Sequence, residues 1–259
     1  MSSSFAVLLL SCDKYSDMWP HFMRQFRINF PIGDYPVYVG SNEMPCAEPG
    51  VIPILSGKDV DWSSSLKNIL AQIKEDNLLI ILEDLIISSL VDKVLLDASI
   101  KLMQEREVYH IKYWVNPPFD EPSDHPLFGI YARGAPYRAT VCGFWDRDYL
   151  RGLLIAGESP WNFEILGSYR TAYSDGFYCL ARPLCEFKNM IEKGKWIPES
   201  VAWAKENGID LDLVKRPMLR GKNQLVSRLQ MLYFKLMLKV PWRKRVALMN
   251  LLRKAFISY

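Results

Sequence analysis

The sequence predicts an α/β fold, a sheet flanked by helices, and three observations carry that expectation. Short apolar runs of strand length alternate with amphipathic segments over residues 1–105, the order of a sheet built from strand–helix–strand units. The run Leu78-Leu79-Ile80-Ile81-Leu82 is apolar without alternation, which suits a strand buried on both faces. It stops at Glu83-Asp84, and carboxyl ends of inner strands are where open α/β sheets bind ligands. Charge beside so much aliphatic surface is costly unless a metal, a cation or a hydrogen-bond network compensates it.

The elements follow in order. Phe5–Leu10 is the first strand, 11–17 a polar loop, and 18–30 a helix with Trp19, Phe22, Met23 and Phe26 on one face. Strands are expected at 36–40 and 51–55. Asp61-Trp62-Ser63-Ser64-Ser65 leads into a helix over 66–75, with the serines as capping oxygens. The strand at 78–82 precedes an amphipathic helix over 91–105. The second half predicts a strand at 109–114, a Pro-rich loop at 116–126, a strand at 137–145 and a helix at 146–155. Gly157-Glu158-Ser159-Pro160-Trp161 reads as a helix start, with Ser159 capping and Pro160 where its missing N–H costs nothing. Trp161 and Glu164 then share one face. A last strand covers 177–183.

At 259 residues, 49% of them apolar, the chain holds a sizeable core, and no repeat or low-complexity tract interrupts it. The net charge of +3 hides an asymmetry. Twelve of the 32 basic residues fall between Lys215 and Tyr259 with no acidic residue among them, so residues 1–214 hold all 29 carboxylates against the other 20. The expected organisation is a body over 1–212 and a basic tail over 213–259. Two helical segments in the tail, 224–239 and 243–257, are separated by Pro241. Arg228, Lys235, Lys239, Arg243, Lys244, Arg245, Arg253 and Lys254 fill the surface that Leu, Met and Phe leave. That is the pattern of helices lying on an anionic membrane. A hairpin packed on the body is the simpler alternative, but solvated helices ordinarily mix both signs.

Five scattered cysteines (Cys12, Cys46, Cys142, Cys179, Cys185) form no CxxC pair, and with His21, His110 and His125 they give no zinc spacing. They are expected as reduced thiols. Leu9-Leu10-Ser11-Cys12 has the look of a lipoprotein cleavage box, but no basic residue precedes it and the apolar run is short, so a buried strand is expected instead. No run of about 20 apolar residues predicts a membrane span.

Four segments together resemble the GT-A class of glycosyltransferases, in particular small bacterial enzymes of capsule and O-antigen synthesis. They are Val7-Leu8-Leu9-Leu10-Ser11-Cys12-Asp13, Trp62-Ser63-Ser64-Ser65-Leu66, Ile80-Ile81-Leu82-Glu83-Asp84 and Gly157-Glu158-Ser159-Pro160-Trp161-Asn162-Phe163-Glu164. The resemblance covers roughly residues 5–185. It implies a GT-A-like, Rossmann-type mixed sheet flanked by helices, followed here by the basic amphipathic tail. It places Glu83 and Asp84 at the family's Asp-x-Asp position, for a Mg²⁺ or Mn²⁺ ion that neutralises the donor's diphosphate. The pattern here is Glu-Asp-Leu, without the second spaced aspartate, so metal independence stays open. Ser11, Asp13 and Tyr15 would face the nucleotide, and Ser64 and Lys67 would reach it from the following helix.

Glu164 is the expected general base for an inverting transfer, with Glu158 as its rival. Trp161 and His125 are acceptor candidates. Capping, core packing and solvated charge are the plain alternatives for Ser64, Trp161 and Lys67. His110 is expected as a satisfied core histidine, and Arg133 and Arg138 as surface charges with phosphate binding as the alternative. The partners implied are a nucleotide-sugar donor, a lipid-linked saccharide acceptor and an anionic membrane surface met through 215–259. That puts the protein in the cytoplasm, peripheral on the inner face of the cell membrane. A glycoside hydrolase would use two carboxylates as well. A non-catalytic nucleotide-sugar-binding protein and a nucleic-acid-binding protein are the other readings. A tail rich in Leu, Met and Phe without exposed stacking aromatics argues against nucleic acid.

Overall fold

The computed structural model describes residues 4–31, 33, 35–192, 194–219, 232, 235–237 and 239–256. The chain opens with β1 (Phe5–Leu10), a 3-10 turn (Asp13–Met18) and α1 (Trp19–Asn29). Next come β2 (Val37–Ser41), β3 (Ile52–Leu55), α2 (Trp62–Leu70), β4 (Asn77–Leu82), β5 (Leu85–Ile87) and α3 (Lys93–Glu105). The second half adds β6 (His110–Lys112), β7 (Glu121–Pro122), β8 (Phe128–Ile130), β9 (Gly143–Asp146), α4 (Arg147–Leu153) and α5 (Pro160–Arg170). It continues through β10 (Phe177–Leu180), β11 (Phe187–Asn189), β12 (Ile191–Glu192), β13 (Lys195–Trp196) and α6 (Pro198–Glu206), and α7 (Trp242–Phe256) comes last.

Nine strands form one mixed sheet in the order β3-β2-β1-β4-β9-β6-β10-β8-β7. β3, β2, β1 and β4 run parallel. β9 lies antiparallel between β4 and β6, and β8 and β7 finish the far edge antiparallel. The alternation of side chains across a strand explains the layers. From β1, Phe5, Val7 and Leu9 join Leu79 and Ile81 of β4 in one core, which α1 and α3 cover with Trp19, Phe22, Leu95 and Leu102. Ala6, Leu8 and Leu10 join Leu78 and Ile80 in the opposite core, under Leu66, Ile69, Leu150 and Phe163 of α2, α4 and α5. β1 and residues 78–82 of β4 are thus apolar at every position because helices cover both faces.

Several bounds differ from expectation, each for a local reason. The 11–17 loop is a 3-10 turn over most of its length. α2 starts four residues early because Asp61 caps it, its carboxylate accepting from the Ser64 N–H at 2.8 Å. The serines are helical residues, not the cap, and α2 ends at Leu70. Of the strand expected at 137–145, only Gly143–Asp146 pairs. Upstream, Tyr137 has φ 52°, and the N–H groups of Ala139 and Val141 bond to Ser168 and Glu164 of α5 rather than to a strand. The Ser159 cap and Pro160 start of α5 stand as expected, and all five cysteines are free thiols.

His110 is a core residue. Its Nδ1 lies 2.9 Å from the Phe144 carbonyl and its ring stacks on Trp145 at 4.0 Å. Burial pushes its pKa down to about 3, so it is neutral. Gly143 is required beside it, since a Cβ there would stand 2.3 Å from the imidazole.

Most of the helix expected at 224–239 lies outside the described residues. α7 begins after Pro241 and rests on the body. Arg245 is buried against Asp120 at 2.6 Å, Val246 fills the space beside Gly134, and Trp242 meets Tyr173 edge-on. Among the described residues no helix is long and apolar enough to cross a membrane.

The Arg245–Asp120 pair generates a stability prediction. Arg245→Ala strands a carboxylate that is 4% exposed, so the folded state is expected to lose about 3–5 kcal/mol. Urea denaturation of the variant against the parent measures it.

Candidate functional site

β1 and β4 are neighbours in register, Leu10 beside Leu82, so the residues that leave their carboxyl ends emerge side by side. Ser11-Cys12 turns one way and Glu83-Asp84 the other. Together with Tyr15, Trp62, Trp161 and Glu164 they line a cleft of about 620 Å³. Its remaining wall is the segment carrying Asn189 and Glu192, held in place by the Met190 N–H bond to the Asp84 carbonyl at 2.8 Å and by β11 pairing with β5.

The carboxylates dominate the electrostatics. Glu83 is 7% exposed, and burial and the neighbouring Asp84 charge push its pKa up, with a hydrogen bond from Ser11 as partial relief. Burial raises Asp84 to about 6, and its Oδ1 has no hydrogen-bond partner among the described residues. Arg216 supplies the compensating charge to both. Its guanidinium holds Asp17 through two bonds of 3.0 and 2.8 Å, and it lies 4.2 Å over the Tyr15 ring. Tyr15 is therefore a stacking surface with a cation behind it.

Glu164 lines the same cleft. The first turns of α5 aim it at the cleft, where it accepts from the Val141 N–H at 3.1 Å. Burial raises its pKa, and the nearby Lys112 charge offsets part of that rise. Lys112 is itself buried in β6, donating to the Asn116 carbonyl at 2.6 Å and the Tyr137 carbonyl at 3.3 Å, and its pKa falls to about 8. Trp161, one turn before Glu164, is 70% exposed at the cleft mouth.

Of the expected site residues, Ser11, Tyr15, Glu83, Asp84, Trp161 and Glu164 meet in this cleft. The others do not line it. Asp13 accepts from the N–H groups of Asn42, Glu43 and Met44, so it ties the first turn to the β2–β3 loop. Ser64 donates to its own cap, Asp61, at 2.7 Å. Lys67 is exposed on the outer face of α2. Glu158 is held by Arg170 through bonds of 2.7 and 2.9 Å, one to each carboxylate oxygen, and does not line the cleft. His125 turns the β7–β8 hairpin at the far edge of the sheet, packed on Phe128. Arg138 is fully buried over Phe177, and Arg133 is bound to Asp175, so neither faces the cleft.

Sequence reasoning missed Lys112 and Arg216. A lysine in the middle of the strand expected at 109–114, beside Ile111, Tyr113 and Trp114, was a signal, since buried lysine is rare without a task. Arg216 carried none, being one charge in a basic tail.

A divalent cation suits the acidic pair. Asp84 offers a buried carboxylate oxygen without a donor among the described residues, and Mg²⁺-type sites use one or two carboxylates plus substrate phosphates and water. Among the described residues no cluster of three or more His, Cys, Asp or Glu could hold a metal unaided. The other ligands would therefore come from a bound diphosphate and solvent.

No protein-family model and no curated protein matches the chain. Among solved structures it is similar to a mannosyltransferase from Pyrobaculum calidifontis in complex with GDP-Man and Mn²⁺. The match has 12% identity and a TM-score of 0.48, over 100% of this chain and 77% of that one. S. aureus TarS in complex with UDP-GlcNAc gives 9% identity and a TM-score of 0.47, over 71% of this chain and 57% of that one. The glycosyltransferase GlyE of Streptococcus pneumoniae gives 12% and 0.41, over 100% and 65%. These are similarities of chain path at low identity, and the case for function rests on the cleft itself.

The raised Asp84 pKa has a sign that can be tested. The folded state binds this proton more tightly than the unfolded chain, so ionising Asp84 costs stability as pH rises from about 4 through about 6. Asp84→Asn removes that cost. Its melting temperature is expected to exceed the parent's at pH 7.5, by the equivalent of about 3 kcal/mol, with the difference closing below pH 4. Paired thermal melts across that range measure it.

Proposed function

We propose that the protein is a GT-A-type glycosyltransferase that moves a sugar from a nucleotide-sugar donor to a lipid-linked saccharide in bacterial surface polysaccharide synthesis. The observation that carries this reading is the set of acids in one cleft: Glu83 and Asp84, with an Asp84 oxygen that has no hydrogen-bond partner among the described residues, and Glu164. The pair is suited to a leaving group that needs a countercharge, Glu164 to a hydroxyl that needs a base.

The residues divide the work. Tyr15, backed by Arg216, takes the flat base of the nucleotide, and Ser11 stands beside Glu83 where ribose and phosphate pass. Glu83 and Asp84 would hold Mg²⁺ or Mn²⁺, which when bound supplies countercharge for the diphosphate. Trp161 offers its face to a sugar of the acceptor. Glu164 accepts the proton of the acceptor hydroxyl as that oxygen bonds to the anomeric carbon. The bond from that carbon to the diphosphate oxygen breaks, its electron pair leaving with the nucleoside diphosphate. Attack from the face opposite the leaving group inverts the anomeric centre. Lys112 holds the Asn116 and Tyr137 carbonyls and keeps Glu164 ionisable. In this reading residues 1–212 do the chemistry, and the basic tail keeps the protein at the cytoplasmic face of the membrane where such an acceptor lies.

Calorimetric titration with UDP, GDP, CMP and dTDP, each with and without Mn²⁺, tests the donor site. One nucleotide is expected to saturate it, more tightly with Mn²⁺ at pH 7.5 and with that gain lost as Asp84 protonates below about pH 6. Binding of none of the four would sink the assignment. Glu164→Gln is expected to keep nucleotide affinity and to lower kcat by about 10²–10⁴. Unchanged turnover in that variant would remove Glu164 from the base role.

A further inference from the structure

The cleft mouth and the docked tail helix are joined by one exposed stripe. On α5, Trp161 and Ile165 lie four residues apart on one face and are 70% and 45% exposed. The next residue in that row, Tyr169, donates a hydrogen bond to Asn250 of α7. The row therefore runs about 12 Å from the cleft to α7, eight residues at the helical rise. α7 turns Arg245 and Val246 to the body and leaves the opposite side free, where Leu248 and Leu251 are 36% and 64% exposed beside exposed Arg243 and Lys244. Large apolar side chains next to basic ones, in a tail without a single carboxylate, are complementary to an anionic amphipathic surface and repel a cationic one.

The geometry points to this α5–α7 face as the docking surface for an anionic phospholipid bilayer, set so that Trp161 meets the lipid and the cleft opens at the membrane plane. The tail then orients the cleft as well as tethering it, because α7 is clasped to the body through Arg245 and Asp120. Basic groups contact headgroups, and Trp161, Ile165, Leu248 and Leu251 enter the interface. The lipid-linked class of acceptor rests on the transferase reading above, whereas the docking surface does not.

The test uses the full chain and vesicles of phosphatidylcholine with or without phosphatidylglycerol, read by sedimentation. Binding is expected only with phosphatidylglycerol, and is expected to weaken with salt as Debye screening shortens. The double variant Arg243→Glu, Lys244→Glu is expected to lower partitioning by at least about tenfold, and Trp161→Ser with Ile165→Ser to lower it as well. All four positions are exposed, and unchanged melting temperatures are expected. Trp161→Phe is expected to remove part of the fluorescence quenching that brominated acyl chains cause in the parent protein.

The proposal is overturned if phosphatidylglycerol vesicles do not bind the parent, or if Trp161→Phe leaves the quenching unchanged. Binding to RNA but not vesicles would overturn it too, as would a dimer in light scattering that Trp161→Ser with Ile165→Ser dissolves. Vesicle binding without nucleotide binding would keep this surface and remove the transferase. The converse would keep the cleft and remove the surface.

Discussion

Two adjacent carboxylates at the end of a strand buried on both faces are the constraint around which the rest of this structure is arranged. Glu83 and Asp84 follow β4 directly at its carboxyl end, where burial takes much of their water away. Ionised in that position, the pair repels itself and pays for lost hydration. The molecule answers with Ser11 against Glu83 and with Arg216, brought from beyond α6. Among the described residues the compensation is incomplete, and an unmatched oxygen remains on Asp84, which lines the cleft. Residual strain of this kind is common where a ligand completes the charge balance.

The sheet makes that arrangement rigid. Because β1 and β4 feed both cores with alternate side chains, they cannot slip by a residue without turning each apolar row to the wrong layer. Their carboxyl ends are therefore held side by side, and the loops that follow are aimed from a common base. α5 is fixed on the same base, through Phe163 in the core that also holds Leu10, Leu78 and Ile80, and through the Glu158–Arg170 pair. The base candidate and the acidic pair are therefore positioned against one packed core.

A second buried charge pair does a similar job at the opposite end of the chain. Arg245 and Asp120 lock α7 to the loop before β7, and Trp242 is wedged between Arg133 and Tyr173. A helix that composition alone describes as a mobile basic tether is thereby given a fixed direction relative to the cleft. With Arg245 and Val246 turned to the body, the opposite side of α7 leaves Leu248, Leu251, Arg243 and Lys244 exposed.

The α/β class, the strands at 5–10 and 78–82, the Ser159-Pro160 helix start and the placement of Glu83, Asp84, Trp161 and Glu164 were legible from the residues alone. Each rests on a local pattern: an apolar run, a cap, a spacing of three along a helix. Other outcomes depended on partners distant in sequence. Asp13 and Glu158 looked like site acids but were taken up by backbone amides of the β2–β3 loop and by Arg170. Residues 137–142 looked like a strand, but the N–H groups of Ala139, Thr140 and Val141 go to Ser168, His110 and Glu164. Arg216, indistinguishable in a basic run, crosses 199 positions to reach Asp17. Periodicity and capping act over a few residues, so the sequence by itself determined the elements and the acids that end them. Which charges neutralise one another depends on which ends the fold brings together, and only the tertiary structure decided that.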